Sequence, residues 1–201
     1  MSPQVDLDTH IADIVNLIQW EELSDVVLCG HSYGGCVISG VADRIPDRIG
    51  ALVYLDAFVL ENGQSLHDVL PPPMRDEQLE QARQSGEGWK VPPIPAEAFH
   101  VNAQDLEWVN RQCTVQPLAT FQQPLHLTGK VDGIKNITFI LATGWAPSPF
   151  PTFGDQAKTK GWRTVSMECG HDVMLDLPEE LTRELLAVSA GRSAYALRSS
   201  A

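Results

Sequence analysis

Apolar residues along this chain fall into two alternating kinds of run. Behind Asp8, the positions Ile11, Ile14, Val15, Leu17 and Ile18 recur at three- and four-residue steps, which predicts a helix with one apolar face, capped by Asp8 or Thr9. After a turn at Ser24-Asp25, Val26-Val27-Leu28-Cys29 is a short unbroken apolar run, the pattern of a strand buried on both faces. Helical spacing returns from Cys36 to Ile45 and stops before Pro46, and Ala51 to Val59 reads as a second buried strand. Strand, helix and strand in that order predict a parallel sheet with a right-handed crossover.

The alternation breaks between Glu61 and Gln123. Eight of the fourteen prolines lie between Pro71 and Pro124, with short helical patterns at Asp76 to Gln84 and Asp105 to Gln112, each opened by an acidic residue. This stretch reads as an insertion outside the sheet, a lid or cap. Ile137 to Ala142 (strand), Thr152 to Lys160 (helix), Arg163 to Met167 (strand) and Pro178 to Val188 (helix, Pro178 in its first turn) then resume the pattern. The predicted organisation is an α/β core over 1–62 and 124–190, a cap over 63–123 and a polar tail over 191–201.

Composition narrows the function classes. With 201 residues, 43% of them hydrophobic and 20% charged, the chain suits one globular domain. Twenty-six acidic against fourteen basic side chains give a net charge of −12, which repels phosphate backbones and anionic lipid, so neither nucleic acid nor a membrane is an expected partner. The longest apolar stretch, Ala51 to Leu60, is interrupted by Asp56 and falls short of the ~20 residues of a membrane span. The start, Met-Ser-Pro-Gln-Val-Asp, lacks the features of a secretory signal, so a cytoplasmic location is expected. Cys29, Cys36, Cys113 and Cys169 are scattered without metal spacing and read as free, mostly buried thiols.

Against that background, Gly30-His31-Ser32-Tyr33-Gly34 fits G-x-S-x-G between a predicted strand and a predicted helix. Such a turn holds its serine in a strained backbone conformation, and glycines two residues before and after it are expected to avoid Cβ clashes. Ser32 is the candidate nucleophile, and the backbone N–H of Tyr33, at the helix start, is a candidate oxyanion donor. A hydroxyl needs a base to take its proton. His171, in the loop after the last predicted strand, occupies that place; His10 is expected on the polar side of the first helix, and His67, His100 and His126 lie in or beside the insertion. For the acid, the loop Thr143 to Phe150 holds no carboxylate, and Asp132 precedes its strand. Asp56, a charge inside the run Val53 to Phe58, is costly unless partnered and is the leading candidate, with Asp155 and Asp172 behind it.

Gly-His-Ser-Tyr-Gly-Gly, Leu-Val-Tyr-Leu-Asp-Ala-Phe, the proline-rich cap, Ser-Pro-Phe at 148–150 and Gly-His-Asp before an apolar-acidic helix together resemble the α/β-hydrolase superfamily, over about Val5 to Val188. The likeness is to bacterial esterase-like members related to plant methyl-esterases and hydroxynitrile lyases. It implies Ser32 as nucleophile and His171 as base, with the acid after the strand that follows the elbow helix, as in some branches, which matches Asp56. Family members also place several strands, and a His-Gly type motif supplying a second oxyanion donor, ahead of the elbow. Only about thirty residues precede Ser32 here and no such motif exists, so the chain reads as N-terminally shortened.

The resemblance therefore implies a serine hydrolase of a small carboxylic ester, working through a Ser32-His171-Asp56 triad and an acyl-enzyme, with no metal or organic cofactor. Trp89, Phe99, Trp108 and Phe121 of the cap are candidate lining for an apolar substrate pocket. A hydroxynitrile-lyase-like enzyme on the same scaffold and an inactive, shortened fragment or binding module are the alternatives, and a homo-oligomer stays open.

Overall fold

A computed structural model describes residues 1–196, with backbone alone from residue 192, and the tail expected over 191–201 lies partly outside it. Helix α1 (Leu7–Trp20), strand β1 (Val26–Ser32), helix α2 (Gly34–Arg44) and strand β2 (Ile49–Ala57) open the chain. The proline-rich segment follows with α3 (Leu66–Val69), α4 (Pro72–Ser85), β3 (Lys90–Val91), α5 (Leu106–Gln112), β4 (Gln116–Pro117) and α6 (Ala119–Gln122). Strand β5 (Ile137–Ala142), helix α7 (Phe150–Thr159), strand β6 (Arg163–Met167) and helices α8 (Val173–Asp176) and α9 (Pro178–Ala196) complete it.

Strands β1, β2, β5 and β6 pair side by side in that order, all parallel, as the strand–helix–strand pattern predicts. Parallel pairing brings their carboxyl ends to one edge of the sheet: Ser32 faces Ala57, and Ala142 faces Met167. The β1–β2 register slips there, because His31 faces Leu55 while Ser32 faces Ala57, leaving Asp56 as the extra residue of a bulge with φ +42°. A bulge re-aims a side chain. Here it frees one polar residue from a strand otherwise packed on both faces.

The core joins the apolar face of α1 (Leu7, Ile11, Ile18) to α2 and to the buried residues of β2 and β5. Tyr54 stacks on Trp162 at 5.3 Å and bonds the Ser39 hydroxyl at 2.8 Å, so its polar end is satisfied inside the core. Buried Asp43 is likewise paired, accepting from the Thr128 and Val131 amides at 2.7 and 3.1 Å and tying the end of α2 to the chain ahead of β5.

Several sequence expectations need correction. Helix α1 is capped by Asp6, whose carboxylate accepts from the Thr9 amide while the Thr9 hydroxyl accepts from the Asp6 amide. Thr9 thus completes a capping box from inside the helix, one turn after the cap. Helix α4 begins at Pro72, before the first acidic residue, because proline fits a first turn where no amide partner is needed. The proline-rich segment contains a short antiparallel ladder, β3 with β4, where no sheet was expected. Helix α9 runs past Gly191 to Ala196. Of the thiols, Cys36 and Cys169 are buried but Cys29 and Cys113 are exposed; all four are free. Among the described residues, no helix is long and apolar enough to cross a membrane.

Candidate active site

Each strand of the parallel sheet delivers a polar group to the shared edge. Strand β1 ends at Ser32, whose φ of +53° puts a non-glycine residue in the left-handed region. Such a conformation costs about 1–3 kcal/mol and persists only where the surroundings impose it. Here the imposing contacts are glycines. A Cβ on Gly30 would meet the Gly34 carbonyl at 2.5 Å, and one on Gly35 would meet the Phe58 carbonyl at 2.2 Å. A Cβ on Gly34 would meet nothing within 4 Å, so the expectation that Gly34 relieves a clash is wrong. The tight approach of α2 to the end of β2 falls one residue later, on Gly35. The Phe58 amide closes the other side by donating to the Ser32 carbonyl at 3.1 Å.

The bulged Asp56 is fully buried and accepts three hydrogen bonds: from the Ala142 amide at 3.1 Å, the Trp145 indole at 3.0 Å and His171 Nδ1 at 2.7 Å. A carboxylate oxygen accepts, so the His171 proton sits on Nδ1 and Nε2 is left with its lone pair. The loop after β5 offers no acid but orients one, through the Ala142 amide and the Trp145 ring. Of the other candidate acids, Asp155 is on the exposed face of α7, paired with Lys158 at 2.8 Å. Asp172 faces His31, with 3.7 Å between Oδ1 and Nε2, and burial pushes its carboxyl above the ordinary range.

Aromatic rings wall in His171. Phe150 stacks on it at 5.1 Å, and Phe99, Trp145 and His31 lie at 4.9, 5.0 and 4.3 Å. Its amide donates to the Phe99 carbonyl at 2.9 Å, and the chain at 99–100 crosses so closely that a Cβ on Gly170 would meet the His100 carbonyl at 2.4 Å. Asp176 ties the same crossing down, accepting from the Gly170 amide at 2.8 Å and from the Asn102 amide at 3.2 Å.

Tyr33 is the N-cap of helix α2 and makes no capping side-chain hydrogen bond, so no cap occupies the amides at the elbow ahead of Cys36, whose own amide donates to the Tyr33 carbonyl at 2.9 Å. The Tyr33 hydroxyl lies 3.0 Å from His10 Nδ1, and its ring meets Phe121 edge-on at 5.8 Å. His10 thus reaches the elbow from the helix face that periodicity marks as polar. Of the four aromatics proposed as pocket lining, Phe99 and Phe121 adjoin these groups. Trp108 is exposed on α5, and Trp89 lies under the Lys90 ammonium. Trp145, His31 and Asp176 were not legible as site residues, since each acts through a partner remote in sequence.

A family model described as "Alpha/beta hydrolase family" matches residues 2–184, nearly the whole chain. The chain belongs to the α/β-hydrolase family. Among the curated members, the carbendazim hydrolyzing esterase of Nocardioides sp. (strain SG-4G) is 48% identical over 192 residues, covering 92% of this chain and 79% of that protein. Among solved α/β-hydrolases, an extracellular Paenibacillus enzyme described as homologous to Tobacco Salicylic Acid Binding Protein 2 superposes with a TM-score of 0.77 at 22% identity, covering 92% of this chain and 80% of its own. A pyrethroid hydrolase of Sphingobium faniae JZ-2 superposes at 0.71 with 22% identity, covering 96% and 79%. The protein is thus an esterase-like α/β-hydrolase that spans about four-fifths of the length of these relatives.

Proposed function

We propose that this protein hydrolyses small carboxylic esters through a Ser32-His171-Asp56 triad. The observation that carries the reading is the buried 2.7 Å contact between Asp56 and His171 Nδ1, set at the same sheet edge as the strained Ser32. His171 Nε2 takes the Ser32 proton as Oγ attacks the ester carbonyl, and the carbonyl electron pair moves onto oxygen. The Tyr33 amide donates to that oxyanion. Collapse of the tetrahedral intermediate expels the alcohol, protonated by the His171 imidazolium, and leaves an acyl group on Ser32. Water, deprotonated by His171, then attacks the acyl carbonyl and releases the acid and the free serine. Asp56 orients His171 and stabilises its imidazolium throughout. The rings of Phe99, Trp145 and Phe150 around His171 keep the base out of bulk water and favour an apolar acyl or alcohol group beside it.

The test is hydrolysis of short-chain p-nitrophenyl esters by the purified chain beside Ser32→Ala and His171→Ala, with carbendazim added to the panel because of the Nocardioides relative. Turnover by the wild type and its loss in both variants is the expected result. Equal rates in all three folded proteins would overturn the reading.

A further inference from the structure

His31 precedes the nucleophile in the elbow, where the motif allows any residue. Its side chain crosses to the other half of the site. Nε2 lies 3.0 Å from the main-chain carbonyl of His171, and its ring packs on the His171 ring at 4.3 Å with a 38° tilt. A carbonyl only accepts, so His31 is the donor and carries its proton on Nε2. Asp172 Oδ1, at 3.7 Å, lies beyond direct hydrogen-bond distance.

We propose that His31 is a positioning residue: by donating to the His171 carbonyl it fastens the loop that carries the base to the strand that carries the nucleophile. The proposal rests on the reading of Ser32 and His171 given above. With this bond, His171 is held from outside its own turn at three points, its amide by the Phe99 carbonyl at 2.9 Å, its carbonyl by His31 at 3.0 Å and its ring by Asp56 at 2.7 Å; the same carbonyl also accepts from the Val173 amide at 3.0 Å, a bond internal to the turn. The Val173 bond shapes the 171–173 turn but moves with it, so without His31 that turn can shift as a unit relative to Ser32, and Nε2 with it. The third hold runs directly to residue 31, so the separation of base and nucleophile depends on a bond between immediate neighbours.

Electrostatics suit that role. Burial and the adjoining His171 ring push the His31 imidazole down to about 3, so it stays neutral at working pH. A second cation packed against the His171 imidazolium would oppose the proton transfer, and Asp172, the acidic group facing His31, offsets such a charge only from a distance. A neutral donor holds the loop without that opposition.

The experiment compares the wild type with His31→Gln, His31→Asn and His31→Leu, using steady-state hydrolysis of a p-nitrophenyl ester with Ser32→Ala as the background and melting temperature measured alongside. Glutamine places an amide N–H near the position of Nε2; asparagine is polar but too short, and leucine cannot donate. Misplacement of a reacting group by about 1 Å costs on the order of 10²-fold. Leu and Asn are therefore expected to lose about that much kcat, with KM changing less than about threefold and melting temperatures no guide to the loss. Gln is expected to recover most of it. Ser32-dependent turnover that is equal across the series, or that follows thermal stability and is not rescued by Gln, overturns the positioning role while the hydrolase reading stands. A folded wild type without Ser32-dependent turnover overturns both.

Discussion

Replacing Asp56 by asparagine separates its charge from its shape. The carboxylate accepts from the Trp145 indole and His171 Nδ1 on one oxygen and from the Ala142 amide on the other. Asparagine can accept on one side only. Two donors outweigh one, so its carbonyl turns to Trp145 and His171, and its amide faces the Ala142 N–H. His171 then keeps its proton on Nδ1, and the variant loses charge without inverting the tautomer. An imidazolium centred about 4 Å from a carboxylate gains roughly 4 kcal/mol at an effective dielectric of about 20. Removing that gain from the transition state lowers kcat by about 10³-fold. The orphaned Ala142 amide costs about 1–3 kcal/mol, which lowers the melting temperature by about 2–12 °C in a chain of this size. Ester hydrolysis and thermal unfolding followed by circular dichroism measure the two effects separately. A folded Asp56→Asn protein with kcat within tenfold of wild type would refute the assignment of Asp56 as the group that stabilises His171.

Trp145→Phe removes one of the three donors to Asp56 while keeping most of the ring packing. A loss of about 1.5–3 kcal/mol in unfolding free energy is expected from denaturant titration, and an unchanged midpoint would show that the indole N–H is dispensable. Gly35→Ala drives a Cβ into the Phe58 carbonyl and should abolish soluble, folded protein, whereas Gly34→Ala, with open space around it, should hold or raise stability by up to about 1 kcal/mol. The reverse ranking would place the tight approach elsewhere. Because the His31 imidazole resists protonation until about pH 3 in the fold but charges near 6.5 in the unfolded chain, the unfolded state binds more protons between those values. Wild-type stability should therefore fall more steeply than that of His31→Gln as pH drops from 7 to 4; parallel curves would show that His31 titrates alike in both states.

Much of this architecture was legible because it rests on local pattern. Predominantly apolar runs marked β1, β2 and β5, and Gly-His-Ser-Tyr-Gly at a strand–helix junction marked the elbow. Asp56 stood out because a charge within Val53 to Phe58 has to be answered by a partner, and the structure answers it with three donors. What escaped sequence reading depends on contacts between distant segments. Trp145 sits in a loop that carries no acid, and its role arises only when that loop meets the β2 bulge. His31 occupies a position the motif leaves open, and only the fold brings it to residue 171. Gly34 and Gly35 are equivalent in the sequence, and the path of Phe58 distinguishes them. Asp6 and Asp8 both suit a helix start, and the side chain of Thr9 decides between them.

Strand β1 carries Ser32, and among the described residues it is paired only with β2. Its residues Val26 to Leu28 are half-buried and Cys29 is exposed, whereas nearly all of β2 is buried. A strand clasped on one side opens at a lower free energy than its neighbours. Amide protection should therefore decline from β2 and β5 towards β1, and the fraction of molecules with an assembled elbow is set by this local equilibrium. Mild heat or denaturant should then silence the proposed hydrolysis while most of the fold persists.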